Sequence, residues 1–228
     1  MADILLIEST AKVCSVGLGR EGEIAALIEH EVENSHSTVL TSLIQEVCTQ
    51  AETSVAEVDA IAVSAGPGSY TGLRIGVSTA KGLCYGLNKP LVAVDTLQAM
   101  ASAVAGETGN QEALYCPLLD ARRMEVYTGI YDFAGRCELD PQALIIDNNP
   151  FMQFLEDREV YFFGSGADKC RELLDHKHSR FEIQARPSAR HMAKLANNRF
   201  IINELEDVAY FEPRYIKAFY TPVKPKLG

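Results

Sequence analysis

Residues 64–82 read SAGPGSYTGLRIGVSTAKG. The stretch follows an apolar run, Ile61 to Val63, and opens into a helical pattern. Gly66, Gly68, Gly72, Gly76 and Gly82 crowd into it. A glycine turn between a strand and a helix either offers backbone N–H groups to a phosphate or lets the helix approach a neighbour closely. The choice separates an enzyme from a partner protein.

Two phosphate templates fail. A Walker loop counted from Gly66 needs glycine where Thr71 stands, and a GxGxxG fingerprint needs its third glycine one residue before Gly72. A helix N-terminus after a glycine turn is still a general anion site, so Gly66, Gly68 and Arg74 are kept as candidate anion or nucleotide contacts. The packing alternative accounts for more of the pattern. Gly72, Gly76 and Ala80 recur every four residues, flanked by Leu73, Val77 and Leu83. Glycine inside a helix costs roughly 1 kcal/mol against alanine, which implies a compensating close contact. The chain's own sheet and a second subunit fit that spacing equally well.

Outward from this stretch, strands are expected at 3–8, 13–19, 23–31, 61–65 and 91–94, the second and third joined by a turn at Arg20-Glu21-Gly22. Helices are expected at about 36–50, capped by Asn34-Ser35, at 70–86, and from Asp95 or Thr96 to about 105. Polar GETGNQ at 106–111 suggests a boundary between an N-terminal half, 1–105, and a C-terminal half, 106–228. The second half repeats the order. Strands are expected at 113–119 and 125–131 around a turn at Asp120-Ala121-Arg122. A helix near 150–157, a strand at 160–163, a helix near 167–175 and a strand around 181–183 follow. Pro187-Ser188 opens a last helix to about 200, which can pack back on the first half. The tail, 217–228, is expected to be extended and flexible.

Composition narrows the function. At 228 residues, 47% hydrophobic and 23% charged, the chain is long enough for one large or two small globular domains. Its net charge of −10 argues against a protein that grips nucleic acid alone. The closest cysteines, Cys116 and Cys137, stand 21 positions apart, so no zinc pattern exists, and buried free thiols suit a reducing cytoplasm. The start, MADILLIEST, lacks a basic leader region, and no window reaches the roughly 20 apolar residues of a membrane span.

SAGPGSYTGLRIG resembles the signature of the bacterial TsaB (YeaZ) family. ILLIESTAKVCSVGL at 4–18, VDTLQAMA at 94–101, LLDARRMEVYTGIY at 118–131 and EPRYIK at 212–217 agree with it. The resemblance covers nearly the whole chain. It implies an α/β, actin-like ATPase (ribonuclease-H-like) fold of two similar βββαβα-type halves facing a cleft. It further implies a non-catalytic, cytoplasmic dimerisation subunit for tRNA threonylcarbamoyladenosine synthesis. In that family TsaC supplies threonylcarbamoyl-adenylate. TsaD then transfers the threonylcarbamoyl group to N6 of the adenosine 3′ of the anticodon in ANN-reading tRNAs. A TsaD-like subunit and a TsaE-like ATPase are the implied partners, with a homodimer when the chain is alone and tRNA held mainly by the partners.

Residues allow this division of labour to be examined. Catalytic relatives carry HxxxH on the first long helix, which sets two imidazoles on one face for a metal. Here His36 holds the first position and Leu40 the second. No catalytic or metal-binding residue is therefore assigned. The interface is expected at His36, Leu40, Leu43 and Val47 on one helix and Tyr70, Gly72, Leu73, Gly76, Val77 and Ala80 on the next. Actin-like ATPases use an acidic residue and a small hydroxyl after the first strand to orient a metal–phosphate, and Glu8-Ser9-Thr10 occupies that place. No cofactor is expected beyond weak nucleotide binding at the complex interface. A free-standing actin-fold ATPase or kinase using Glu8 is the rival, and a glycoprotease-like metallopeptidase is a weaker one. Gly164-Ser165-Gly166-Ala167-Asp168 reads as a nucleotide loop or a helix cap. Asp120-Ala121-Arg122-Arg123 reads as a hairpin turn or a partner contact, His176 and His178 as a solvated helix end. No nucleophile elbow surrounds Ser64 or Ser69.

Overall fold

Apolar runs punctuated by turn residues become ten strands and six α-helices in the computed structural model, which describes residues 2–31 and 36–217. The first half contains β1 (Asp3–Glu8), β2 (Val13–Arg20), β3 (Glu23–Glu31), α1 (His36–Gln50), β4 (Ala60–Gly66), α2 (Tyr70–Leu87), β5 (Leu91–Asp95) and α3 (Thr96–Thr108). The second contains β6 (Leu114–Asp120), β7 (Glu125–Asp132), β8 (Cys137–Ile145), α4 (Met152–Leu155), β9 (Val160–Phe163), α5 (Ala167–Cys170) and β10 (Ser179–Arg180). A 3-10 turn at Ala189–Met192 and α6 (Ala193–Ile201) complete the described elements.

The two sheets have the same plan, β3-β2-β1-β4-β5 and β8-β7-β6-β9-β10. In each, three antiparallel strands form a meander and two more join in parallel after crossovers. Strands β1 and β4 are almost wholly buried, as continuous apolar runs require when both faces of a sheet are covered. One face of the first sheet packs Leu5, Ile7 and Val63 against Leu40, Val47 and Val77 of α1 and α2. The other packs Ile4, Leu6 and Val92 against Met192, Ala193 and Ala196, so α6 lies on the first half. Helix α3 sets Leu97, Met100 and Val104 against Tyr115, Tyr131 and Phe163 of the second sheet.

The duplication is also chemical. Both fourth strands of the plan lead into a left-handed glycine, Gly66 at φ 108° as the last residue of β4 and Gly164 at φ 105° just after β9, with a second glycine two residues on. A Cβ on Gly164 would stand 2.7 Å from Leu118 O, and one on Gly166 2.8 Å from Val126 Cγ1. Glycine is needed at both turns: in the second half the crossover passes over β6, and in the first Gly66 lies against Arg214 O and Gly68 against Thr10.

Helices α1, α2 and α3 match their expected spans closely. Asn88 ends α2 in the left-handed conformation, its N–H bonding Cys84 O. The second half departs more. The helices expected at 150–157 and 167–175 shorten to single turns, and the strand expected at 181–183 lies at Ser179–Arg180. Strand β8 is absent from the sequence expectation. CELDPQALI carries Pro141 and acidic residues and has no clear alternation, which an edge strand tolerates because one side of its ladder is unpaired. Ser188 caps a 3-10 turn before α6 instead of starting one helix. Residues 204–217 form an anchored strap. Glu206 N bonds Leu91 O, Lys81 Nζ donates to Ala209 O (3.1 Å) and Phe211 O (2.9 Å), and Arg214 N bonds Ala65 O. The Asn34-Ser35 cap and the tail beyond Lys217 lie outside the described residues.

Candidate functional site

Parallel pairing of β1 with β4 sets Ile7 against Val63 and brings Glu8 beside Ser64. Glu8 is 1% exposed. Its Oε1 accepts from Thr10 N and Thr10 Oγ1, both at 2.6 Å, and its Oε2 accepts from Ser64 Oγ. Burial pushes the Glu8 carboxyl above the ordinary glutamate range, against the lowering effect of those hydrogen bonds. The donors that could orient a metal–phosphate are thus turned onto the chain itself.

The glycine stretch closes the site from the other side. Ser9 Oγ donates to Gly72 O at 2.8 Å, and Ser69 N bonds Thr10 O at 2.8 Å. A Cβ on Gly72 would overlap Ser9 O, one on Gly76 would overlap Ser9 Oγ, and one on Gly68 would overlap the Thr10 side chain, with Thr10 O at 2.7 Å. The spacing of Gly72 and Gly76 therefore has its explanation inside the chain: α2 packs on the β1–β2 hairpin. Ser69 accepts from Gly72 N at 3.3 Å as the N-cap of α2. Gly66 lies under the strap, where a Cβ would stand 3.0 Å from Arg214 O.

Arg74 faces the strap as well. Its Nε donates to Tyr215 Oη at 3.4 Å, and its guanidinium lies 4.7 Å from the Tyr70 ring centre. Tyr70 and Tyr215 rings are 4.9 Å apart and tilted by 36°. The candidate anion contacts Glu8, Ser9, Thr10, Gly66 and Gly68 thus converge in one packed seam, while Arg74 belongs to a separate aromatic cluster.

The residues expected at the interface lie mostly inside the first half. Leu40, Leu43, Val47, Leu73, Val77 and Ala80 are buried in the first-half core, and Gly72 and Gly76 are filled by Ser9. These side chains pack within the fold. Tyr70 is half-buried beneath Tyr215. His36 begins α1, but its side chain lies outside the described residues. Exposed positions on these helices include Thr41, Gln45, Thr71, Ser78, Gly82 and Tyr85.

The second half repeats the hairpin without a sealed carboxylate. Asp120, at the end of β6, pairs with Lys169, which holds it below the ordinary aspartate range, and Asp120 N donates to Ser165 Oγ at 3.0 Å. Gly164 to Asp168 form the turn into α5, whose first turn holds Asp168. His178 Nδ1 donates to Leu155 O at 2.7 Å, a structural bond just before β10. Among the described residues no cluster of three His, Cys, Asp or Glu is placed to hold a metal, and no helix is long and apolar enough to cross a membrane. Sequence reasoning missed two participants, Ser64 as the partner of Glu8 and Tyr215 as the partner of Arg74. The first had a partial signal, since both residues stand near the ends of apolar strands, but only the structure pairs those strands.

A family model described as TsaD, tRNA N6-adenosine threonylcarbamoyltransferase, matches residues 28–221. Escherichia coli tRNA threonylcarbamoyladenosine biosynthesis protein TsaB is 35% identical over 128 residues, covering 56% of this chain and 54% of its own. The Haemophilus influenzae protein of the same name is 26% identical over 224 residues, 94% of this chain and 93% of its own. The chain belongs to this family, on its TsaB (YeaZ) branch. The solved structure of YeaZ from Pseudomonas aeruginosa is similar at a TM-score of 0.77 and 25% identity, covering 94% of this chain and 100% of that one. An Arthrobacter inorganic polyphosphate/ATP-glucomannokinase shares the fold at a TM-score of 0.50 and 12% identity, over 90% of this chain and 99% of that one. The TsaB-branch chain thus has the actin-like ATPase fold, with its first strand-end carboxylate packed shut.

Proposed function

We propose that this chain is a non-catalytic assembly subunit that docks on a TsaD-like subunit and activates it for threonylcarbamoyl transfer to tRNA. The process follows the name of its relatives. The observation that carries the subunit role is the closed seam: Glu8, Ser9 and Thr10 satisfy one another, Ser64 and the glycines of α2. A carboxylate spent in this way leaves the metal and any nucleotide to the partner. A TsaE-like ATPase joins the assembly and a TsaC-like synthase supplies its substrate. Alone, the chain pairs with a second copy through the same face.

That face is the outer side of α1 and α2, where Tyr85 is 87% exposed beside Gly82, Ser78 and Thr71. Light scattering after size-exclusion chromatography tests it, on the chain alone and mixed with a TsaD-like counterpart. A homodimer that converts to a mixed complex is the expected result, and a monomer indifferent to the counterpart would sink the proposal. Gly82→Arg sharpens the test. Nothing lies within 4 Å of a Cβ at Gly82, so the helix should gain roughly 0.5–1 kcal/mol from losing a glycine. Association should drop at least tenfold while the thermal midpoint holds or rises.

A further inference from the structure

The chain carries a net charge of −10, yet one surface concentrates cations and aromatic rings. Hydrogen bonds and ion pairs link its residues across both halves. Arg74 and Tyr70 on α2 meet Tyr215 of the strap. Two residues on, Lys217 pairs with Glu125 at the start of β7. Glu125 N bonds Arg122 O, and Lys169 Nζ donates to Arg123 O (2.6 Å) and Glu125 O (2.8 Å). Among these residues Arg74, Arg122, Arg123, Lys169, Arg214 and Lys217 outnumber the carboxylates of Asp120, Glu125 and Glu212.

The β6–β7 turn adds a second, independent observation. Arg122 and Arg123 stand in succession at φ 74° and 52°. Left-handed backbone disfavours any side chain with a Cβ, and two long ones in a row are uncommon. Neither guanidinium forms a hydrogen bond or salt bridge with a described residue, and both are exposed. The charge of Arg122 helps, through space, to hold the nearby Asp120 carboxyl below its ordinary range. Glycine would fit the backbone better, so the turn keeps two exposed guanidinium groups at a conformational cost.

We propose that this collar binds a single-stranded RNA segment. Arg122 and Arg123 contact its phosphates, and Tyr215, exposed, packed on Tyr70 and bonded by Arg74, offers a ring face to an unstacked base. Aromatic platforms beside a cationic track are how proteins hold single strands without reading sequence, whereas a duplex hides its base faces. The choice of RNA rests on the tRNA-modifying role proposed above, and the collar supplies this subunit's own share of the substrate.

The test is fluorescence anisotropy with a labelled single-stranded RNA oligonucleotide and a duplex of equal length. It is run on the full chain, alone and with the TsaD-like counterpart, from about 50 to 200 mM salt. The chain should bind the single strand more tightly. Arg122→Gly combined with Arg123→Gly should weaken binding and lower the log–log salt slope by about 1.4, about 0.7 for each phosphate no longer neutralised. The same variant relieves two left-handed side chains, so its thermal midpoint should hold or rise, which separates a weakened RNA surface from a damaged fold. Tyr215→Leu should weaken single-strand binding roughly 5-fold or more with little change in slope. Unchanged affinity and slope in the glycine variant, or equal affinity for the duplex, overturns the proposal. A mixed complex that still forms while RNA binding is unaltered removes the collar and leaves the subunit role intact. Failure of the complex to form while the collar still binds RNA does the reverse.

Discussion

Gly72→Ala should destabilise the protein by about 3 kcal/mol or more, a large share of the 5–15 kcal/mol typical of a folded domain. One methyl group produces this because it has nowhere to go. The added Cβ overlaps the carbonyl oxygen of Ser9, a backbone atom that β1 and β2 hold on either side. Ser9 Oγ is bonded to Gly72 O, so moving the hairpin away also breaks that bond and uncovers Thr10 and Glu8. Gly82→Ala, ten residues along the same helix, should do the opposite. Its Cβ meets nothing within 4 Å, and helix propensity favours alanine by roughly 0.5–1 kcal/mol. Urea midpoints of the two variants should therefore fall on opposite sides of wild type. A Gly72→Ala protein with the wild-type midpoint would mean that the hairpin yields freely, and the packed seam would no longer account for the glycine spacing.

This pair of glycines shows where sequence reading reached and where it stopped. The four-residue recurrence of Gly72, Gly76 and Ala80 marks a face that something approaches closely, but spacing along a helix says nothing about the approaching group. Ser9 lies 63 residues before Gly72, and only the pairing of β1 with β4 brings it there. The same limit applies to Leu40, Leu43 and Val47. Apolar residues at helical spacing are equally right for a core and for an interface, and here the first sheet covers them. Strands β1 and β4 were legible because an unbroken apolar run has few other uses. Strand β8 was not, because an edge strand needs no second hydrophobic face and can carry Pro141. Arg74 was visible as a cation one turn into α2, but the hydroxyl it donates to is 141 residues away on the strap.

Glu8 should give the second large effect, and its two substitutions should move in opposite directions. Glu8→Ala leaves Thr10 N–H, Thr10 O–H and Ser64 O–H facing a void in a buried seam. Unmet donors and the cavity together should cost about 3 kcal/mol. Glu8→Gln keeps the shape and most of the bonds. Its Oε1 can accept from Thr10, and its Nε2 can donate to Ser64 Oγ, whose own proton can turn to Met192 Sδ at 3.5 Å. The pH dependence then distinguishes charge from shape. Burial holds the Glu8 pKa above its ordinary value, so the native chain keeps this proton at pH values where the unfolded chain has released it. In that window the native state binds more protons, and stability must fall as pH rises from the ordinary glutamate range to the raised folded value, then level off. Asp95 is shifted by burial in the same direction and contributes in both proteins. Removing Glu8 as a titrating group should therefore flatten the profile without abolishing its slope, and the advantage of Glu8→Gln over wild type should widen towards neutral pH. Urea unfolding of both proteins across that range measures the difference directly. Parallel profiles would show that Glu8 is ionised throughout, as a carboxylate poised to orient a metal–phosphate would have to be. A widening gap would show that the fold disfavours that charge, and that the chemistry of the assembly must be done elsewhere.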